Sequence, residues 1–322
     1  MYFIISSLIC ILVTLKSIDI LIGLGNKFKI LDYPDSRKKN FIPKVRIGGF
    51  SILIGSFSFV AISFFLLRLE NYEISRLLEI TIICSILIYF VGLMEDFLTT
   101  SPFLRLFLQI IVASLAFKIG LVIRFDFLDN IFDQYLLNIL SYLFTCFWIV
   151  GGINAINWLD GLDGLASGLS SILFIALSIF SFSLNLIPNA IFASSIAISS
   201  FGFTLKNSYP SKILMGDGGS YFLGFTLSGL SICLLNSRYL DDISLLNIIK
   251  YYSPLFILAL PYFDFVRVIL TRLINGNSPF FPDRLHIHYR LLDSGIRYGF
   301  VVNLLYIICF LTLLPTLIIN LT

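Results

Sequence analysis

The sequence predicts an all-α, polytopic integral membrane protein with about ten spanning helices. Composition is the first observation: 58% of residues are hydrophobic and 13% charged, with a mean hydropathy of +0.95. Soluble domains carry roughly 25% charged residues. Segmentation is the second: the apolar residues gather in ten stretches, each near the roughly 20 residues that cross a bilayer.

In chain order the spans fall at about 1–23, 47–67, 77–94, 104–122, 136–153, 165–184, 187–205, 219–236, 249–270 and 300–320. The first begins MYFIISSLICILVTL. It lacks a basic leader and a small-residue cleavage site, so it reads as a retained span and not a signal peptide. The second to fifth are separated by short polar segments. The sixth and seventh nearly touch, and Pro188 suits a tight reversal between them. The eighth follows the glycine-rich MGDGGS. The ninth contains Pro254 and Pro261 and is expected to be kinked or broken. No soluble domain, internal repeat or low-complexity tail is evident, so residues 1–322 read as a single transmembrane catalytic domain.

Ten spans sort the loops onto two faces. One face holds 24–46, 95–103, 154–164, 206–218 and 271–299. The other holds 68–76, 123–135, 185–186 and 237–248, with both termini. Fifteen Lys and Arg residues belong to the first face and six to the second, with Lys16 inside the first span left aside. The positive-inside rule then makes the first face cytoplasmic, in the inner (cytoplasmic) membrane, and puts both termini outside. A net charge of +3 is too small to suggest a nucleic-acid partner. The five cysteines lie within apolar stretches without CxxC spacing and indicate no zinc site or disulfide framework.

The chemistry is written on the first face. GLMEDF ends the third span with Glu95 and Asp96, adjacent carboxylates that need a cation or a basic group to balance them. NAINWLDGLDGLA places Asn154, Asn157, Asp160 and Asp163 at intervals of three, near one face of a helix or helical turn. A turn between spans would not need four amide and carboxylate side chains at that spacing. LMGDGGS sets Asp217 among glycines that allow close backbone approach to a ligand. Magnesium takes oxygen ligands and is often held by one or two protein groups plus substrate phosphates. These acids and amides outline such a magnesium–diphosphate site, with Mn²⁺ as an alternative ion. PDRLHIHYR carries both histidines of the chain, His286 and His288, between Arg284 and Arg290, a pattern suited to anion recognition. Arg37, Lys38 and Arg46 precede Gly48–Gly49 and serve either phosphate binding or simple anchoring. A metal site, basic groups and a lipid-facing wall together point to phosphoryl transfer from a soluble nucleotide donor to a lipid phosphate.

These motifs, in this order, resemble the polyprenyl-phosphate N-acetylhexosamine-1-phosphate transferases, over about residues 30–298. The GlcNAc-1-phosphate branch is nearer than the phospho-MurNAc-pentapeptide branch, because HIHY is closer to HIHH than to a three-histidine pattern. The resemblance implies that a HexNAc-1-phosphate passes from a UDP-sugar to a polyprenyl (undecaprenyl) phosphate with release of UMP. That step begins a cell-surface glycan such as O-antigen, capsule or a teichoic-type polymer. It implies Asp217 and Asn157 as Mg²⁺ ligands and Asp160 and Asp163 facing the uridine and sugar. Arg284, His286 and His288 would grip the diphosphate. Glu95, Asp96 and Asp217 are the expected catalytic set, and Lys38 and Asn154 are further expected substrate contacts. The chain departs from the family pattern at Glu95, where Asp is usual, at Tyr289, where His is usual, and at Asn40, where His is frequent. The sugar, the glycan pathway, the polyprenyl length and a homodimeric state stay open. Two rival readings are a lipid-linked sugar transporter, which would want polar residues on both faces, and an inactive homologue.

Overall fold

The computed structural model describes residues 2–33, 43–67, 72–98, 100–237, 244–280 and 283–321. Among these, ten segments are helical, long and apolar enough to cross a membrane. They are α1 (Tyr2–Phe28), α2 (Gly49–Leu67), α3 (Arg76–Leu98), α4 (Pro102–Ile119), α5 (Gln134–Leu159), α6 (Leu165–Ser183), α7 (Ile187–Asn207) and α8 (Gly216–Asn236), then a composite ninth span and α12 (Tyr298–Leu321). The ninth is broken, as its prolines predict. α9 (Leu245–Tyr252) gives way to a 3₁₀ stretch, Ser253–Leu258, with Pro254 in its first turn, before α10 (Ala259–Ile274) resumes. A short α11 (Ile287–Asp293) lies in the last loop. The all-α expectation holds apart from a two-stranded antiparallel ribbon, β1 (Leu31–Asp32) with β2 (Lys44–Val45). Two-residue strands leave no periodicity that a sequence pattern could reveal.

Helix ends follow local chemistry. Ser101 caps α4, accepting from Leu104 N, with Pro102 in the first turn. Asp133 caps α5, accepting from Leu136 N at 2.9 Å. The outer helices bury only a stripe: α1 turns Cys10, Thr14, Ser17, Ile18 and Leu21 inward and leaves Leu8, Leu12 and Ile20 exposed. α8 is the central post, buried continuously from Gly218 to Leu235 and packed chiefly against α3 and α5. Lipid tails are as apolar as leucine, so such packing relies on small residues that let backbones approach. The glycines of GDGGS do this. A side chain on Gly219 would collide with Gly49 at the start of α2, and Gly218 sits against α3. These glycines therefore dock helix on helix, where the sequence suggested a cradle for ligand. Gly216 must also adopt φ +79°, the left-handed region that glycine tolerates.

Candidate active site

Three segments meet where α8 begins. The residues after β2 zip onto the approach to α8: Leu214 N donates to the Val45 carbonyl (2.8 Å), Gly48 N to Leu214 (2.9 Å) and Gly49 N to Met215 (2.8 Å). This holds Arg46 over the helix start. Its Nε and Nη2 reach Asp96 Oδ1 at 3.1 and 3.0 Å, and Nη2 lies 3.5 Å from Asp217 Oδ2. Asp32 is 3.9 Å from Nη1. Burial works against the Arg46 charge, but the Asp96, Asp217 and Asp32 carboxylates outweigh it and hold the guanidinium above its ordinary pKa. Asp96 also accepts from the Asp217 and Gly218 amides at 2.9 and 3.0 Å, so it caps α8. Asn157 crosses from α5 and donates to Asp217 Oδ1 (2.7 Å) and Ser220 Oγ (2.9 Å).

Around this junction opens a cleft of about 600 Å³. Asn157, Asp160, Asp163, Asp217 and Arg284 all line it, joined by Arg46, Asp32, Asp293, Tyr289 and Tyr298. Among the described residues, five carboxylates and two guanidiniums line its wall. Among the described residues no three His, Cys, Asp or Glu side chains converge on one point. The oxygen-bearing pair Asp217–Asn157 nevertheless suits an ion that draws its remaining ligands from phosphate and water.

The other expected site residues are placed differently. Asn154 turns away from the cleft and donates to Gln109 Oε1 on α4 (2.6 Å) and to the Val150 carbonyl (2.8 Å). A three-residue step advances about 300° around a helix, so each step slips about 60°. α5 also ends at Leu159, which leaves Asp160 and Asp163 in the turn to α6. Asp163 reaches the cleft wall, but its Oδ2 already accepts from Lys44 Nζ (3.3 Å) and Ser211 N (3.0 Å). Glu95 lies outside the cleft wall. It accepts from Thr100 N (2.7 Å) and the Thr100 hydroxyl and pairs with Arg105 at 3.5 Å, tying α3 to α4. Arg284 is exposed, held bidentately by Asp293 at 2.7 and 3.2 Å and stacked 4.7 Å from the Tyr289 ring. Lys38, like Arg37 and Asn40, lies outside the described residues.

Neither histidine lines the cleft. His286 is buried with Nδ1 2.9 Å from Asp264 Oδ2. His288 is fully buried, 4.2 Å from the Tyr289 ring, and among the described residues neither ring nitrogen has a hydrogen-bond partner. Burial, then repulsion from His286, pushes its pKa down to about 3. As placed, His288 is neutral and brings no charge to a phosphate. Below its ordinary 6.5 the unfolded chain takes up a proton that the folded site refuses, so stability falls as pH drops from about 6.5 toward 3. His288→Leu is expected to flatten that acid limb. It should also raise stability at neutral pH by about 1 kcal/mol, the lower cost range for orphaned polar atoms. Thermal melts at about pH 5 and 7 check this; a variant that melts lower than the parent at pH 5 would refute it.

Arg46, which the sequence left open between phosphate binding and anchoring, is placed by the structure at this junction. Its signal was position: it is the last basic residue before Gly48–Gly49, where α2 must start against α8.

The sequence model described as Glycosyl transferase family 4 matches residues 78–235. The chain is 33% identical over 311 residues to a probable undecaprenyl-phosphate N-acetylglucosaminyl 1-phosphate transferase of Bacillus subtilis (strain 168), covering 96% of this chain and 81% of that protein. It is 30% identical over 288 residues to an undecaprenyl-phosphate alpha-N-acetylglucosaminyl 1-phosphate transferase of Yersinia pestis, covering 86% and 73%. It is 29% identical over 299 residues to a decaprenyl-phosphate N-acetylglucosaminephosphotransferase of Mycobacterium leprae (strain TN), covering 88% and 75%. Fold, cleft and these likenesses define a multi-pass membrane transferase. The chain belongs to glycosyl transferase family 4.

Proposed function

We propose that this protein transfers an N-acetylhexosamine 1-phosphate from a UDP-sugar to a polyprenyl phosphate, releasing UMP and making the first lipid-linked intermediate of a cell-surface glycan. The observation that carries this reading is the junction of Asp217, Asn157 and Arg46 lining a cleft among the loops that join the ten spans. The relatives named above, acting on undecaprenyl or decaprenyl phosphate, support the acceptor class.

In the reaction an oxygen of the lipid phosphate attacks the phosphorus bearing the sugar. The bond from that phosphorus to the UMP oxygen breaks, and UMP leaves. The chain's own task is positioning and charge balance. Asp217, with Asn157 beside it, would hold Mg²⁺ or Mn²⁺, which when bound neutralises the diphosphate as UMP departs. Arg46, which lines the cleft beside Asp217, would meet a phosphate oxygen of the donor. Arg284, also on the cleft wall, would do the same, and Asp160 and Asp163 would border the space for uridine and sugar. The lipid phosphate already carries negative charge at neutral pH, so no general base is demanded of Glu95 or Asp96.

Incubating purified protein with polyprenyl phosphate and a panel of UDP-HexNAc donors, and weighing the lipid product, tests the reading and names the sugar. No UMP release with any donor across a magnesium titration would overturn it.

The same reading puts the cleft in the cytoplasm and both termini outside, supported by the fifteen-to-six distribution of basic residues. In intact cells, a membrane-impermeant thiol reagent is expected to label Tyr72→Cys and to spare Asn277→Cys. Labelling of position 277 from outside reverses the orientation and removes the cleft from the nucleotide pool.

A further inference from the structure

The broken ninth span carries a buried polar cluster that neither the cleft nor the proposed reaction uses directly. Asp264, on α10, is 3% exposed. Its Oδ2 meets His286 Nδ1 at 2.9 Å, and its Oδ1 accepts from the Ile287 amide at 3.0 Å and from Arg267 Nη2 at 2.7 Å. A carboxylate only accepts, so the His286 proton sits on Nδ1. The same Arg267 nitrogen donates to the Leu285 carbonyl at 2.6 Å. Further along α10, Arg272 grips Asp283 bidentately at 2.7 and 3.1 Å and donates to the Pro279 carbonyl at 2.5 Å. Its guanidinium lies 4.8 Å from the Trp158 ring, and His286 makes an edge contact with that ring at 5.1 Å.

The loop before α11 is therefore fastened to α10 at positions 279, 283, 285, 286 and 287. α11 has no side-chain cap of its own at His286, and Asp264 satisfies its first amide instead. From His286 the packing runs outward to the cleft: its ring stacks on His288 with centroids 5.6 Å apart, and His288 lies against Tyr289, which lines the wall beside Arg284. Ionisable side chains within spans are costly and are retained for a task.

We propose that Asp264 is a positioning residue for the nucleotide donor: through His286 it sets the orientation of the loop that brings Tyr289 and Arg284 to the cleft. The proposal rests on the donor reading given above. UDP, common to every donor of that class, is the probe, with affinity measured by calorimetry on the full-length protein in detergent.

Asp264→Asn keeps the shape and removes the charge. It is expected to weaken UDP binding about 10-fold, the lower end for a charge-assisted hydrogen bond, while KM for polyprenyl phosphate stays at the parent value. His286→Ala should weaken UDP binding similarly. Because Asp264 acts through His286, the double variant should bind within about twofold of the weaker single. Additive losses, or unchanged UDP affinity in Asp264→Asn, overturn the proposal. If Asp264→Asn yields no folded protein, Arg267→Gln takes its place, with a smaller loss of UDP affinity expected and no loss refuting. A parent protein that does not bind UDP overturns the donor reading and this proposal together. A parent that binds UDP alongside an unaffected Asp264→Asn overturns this proposal alone.

Discussion

Asp217→Asn is expected to lower turnover by about 100-fold or more, the size of loss seen when a preorganised charge at a reacting group is removed. The substitution keeps the side-chain volume and the possibility of a bond with Asn157, now 2.7 Å away. It removes the one carboxylate of the cleft that Asn157, Arg46 and the start of α8 all converge on. Folding should survive, because Asp96 and not Asp217 accepts the α8 amides. The measurement is UMP release against magnesium concentration, with a thermal melt alongside. The expected pattern is a magnesium dependence displaced to higher concentration and a melt within a few degrees of the parent. Parent turnover with parent magnesium dependence would mean that the ion is held elsewhere. Asn157→Ala should act in the same direction and more mildly, since it removes a neutral partner.

The second large effect concerns Arg46. Arg46→Gln leaves Asp96, whose side chain is 1% exposed, without its only nearby charge partner among the described residues. Breaking a buried ion pair from one side costs about 3–5 kcal/mol, and the 22% exposure of the arginine argues for the lower end. The melt should fall by several degrees and donor use should drop with it. Arg46→Lys should lie between, because an ammonium cannot span three carboxylates as a guanidinium fork does. Magnesium offers a discriminating control. An ion that binds only the folded protein stabilises it, and with Arg46 gone it also relieves the crowded carboxylates. Magnesium should therefore raise the melt of Arg46→Gln more than that of the parent. A melt and turnover equal to the parent would return Arg46 to the role of a surface anchor.

The acid pair illustrates how far sequence alone reaches. Glu95 and Asp96 read as one motif, yet they do separate work. Asp96 faces α8 and Arg46, while Glu95 binds the turn into α4 through Thr100 and Arg105. Adjacent positions on a helix point about 100° apart, so adjacency in the motif says nothing about a shared target. The extra methylene of Glu95 has a local account here, since its partners are five and ten residues away on the same strand of chain.

The spans, their broken ninth member, the sorting of the motifs onto one face and the family were all determined by the sequence. Each rests on something local: the length of an apolar run, a proline, a charge count, an ordered set of short motifs. Which motif residues reach the cleft was decided only by tertiary structure. Asn154 turned to Gln109, both histidines are buried away from the cleft lining, and Arg46, left open by its motif, pairs with Asp96 and Asp217. These outcomes depend on which helix lies beside which, and on how closely glycines at 49, 216 and 219 let the backbones approach. A buried polar side chain must find its partner wherever packing puts one. Asp264 found His286, 22 residues away, and Arg46 found Asp96 and Asp217, 50 and 171 residues away, across contacts that no local pattern encodes.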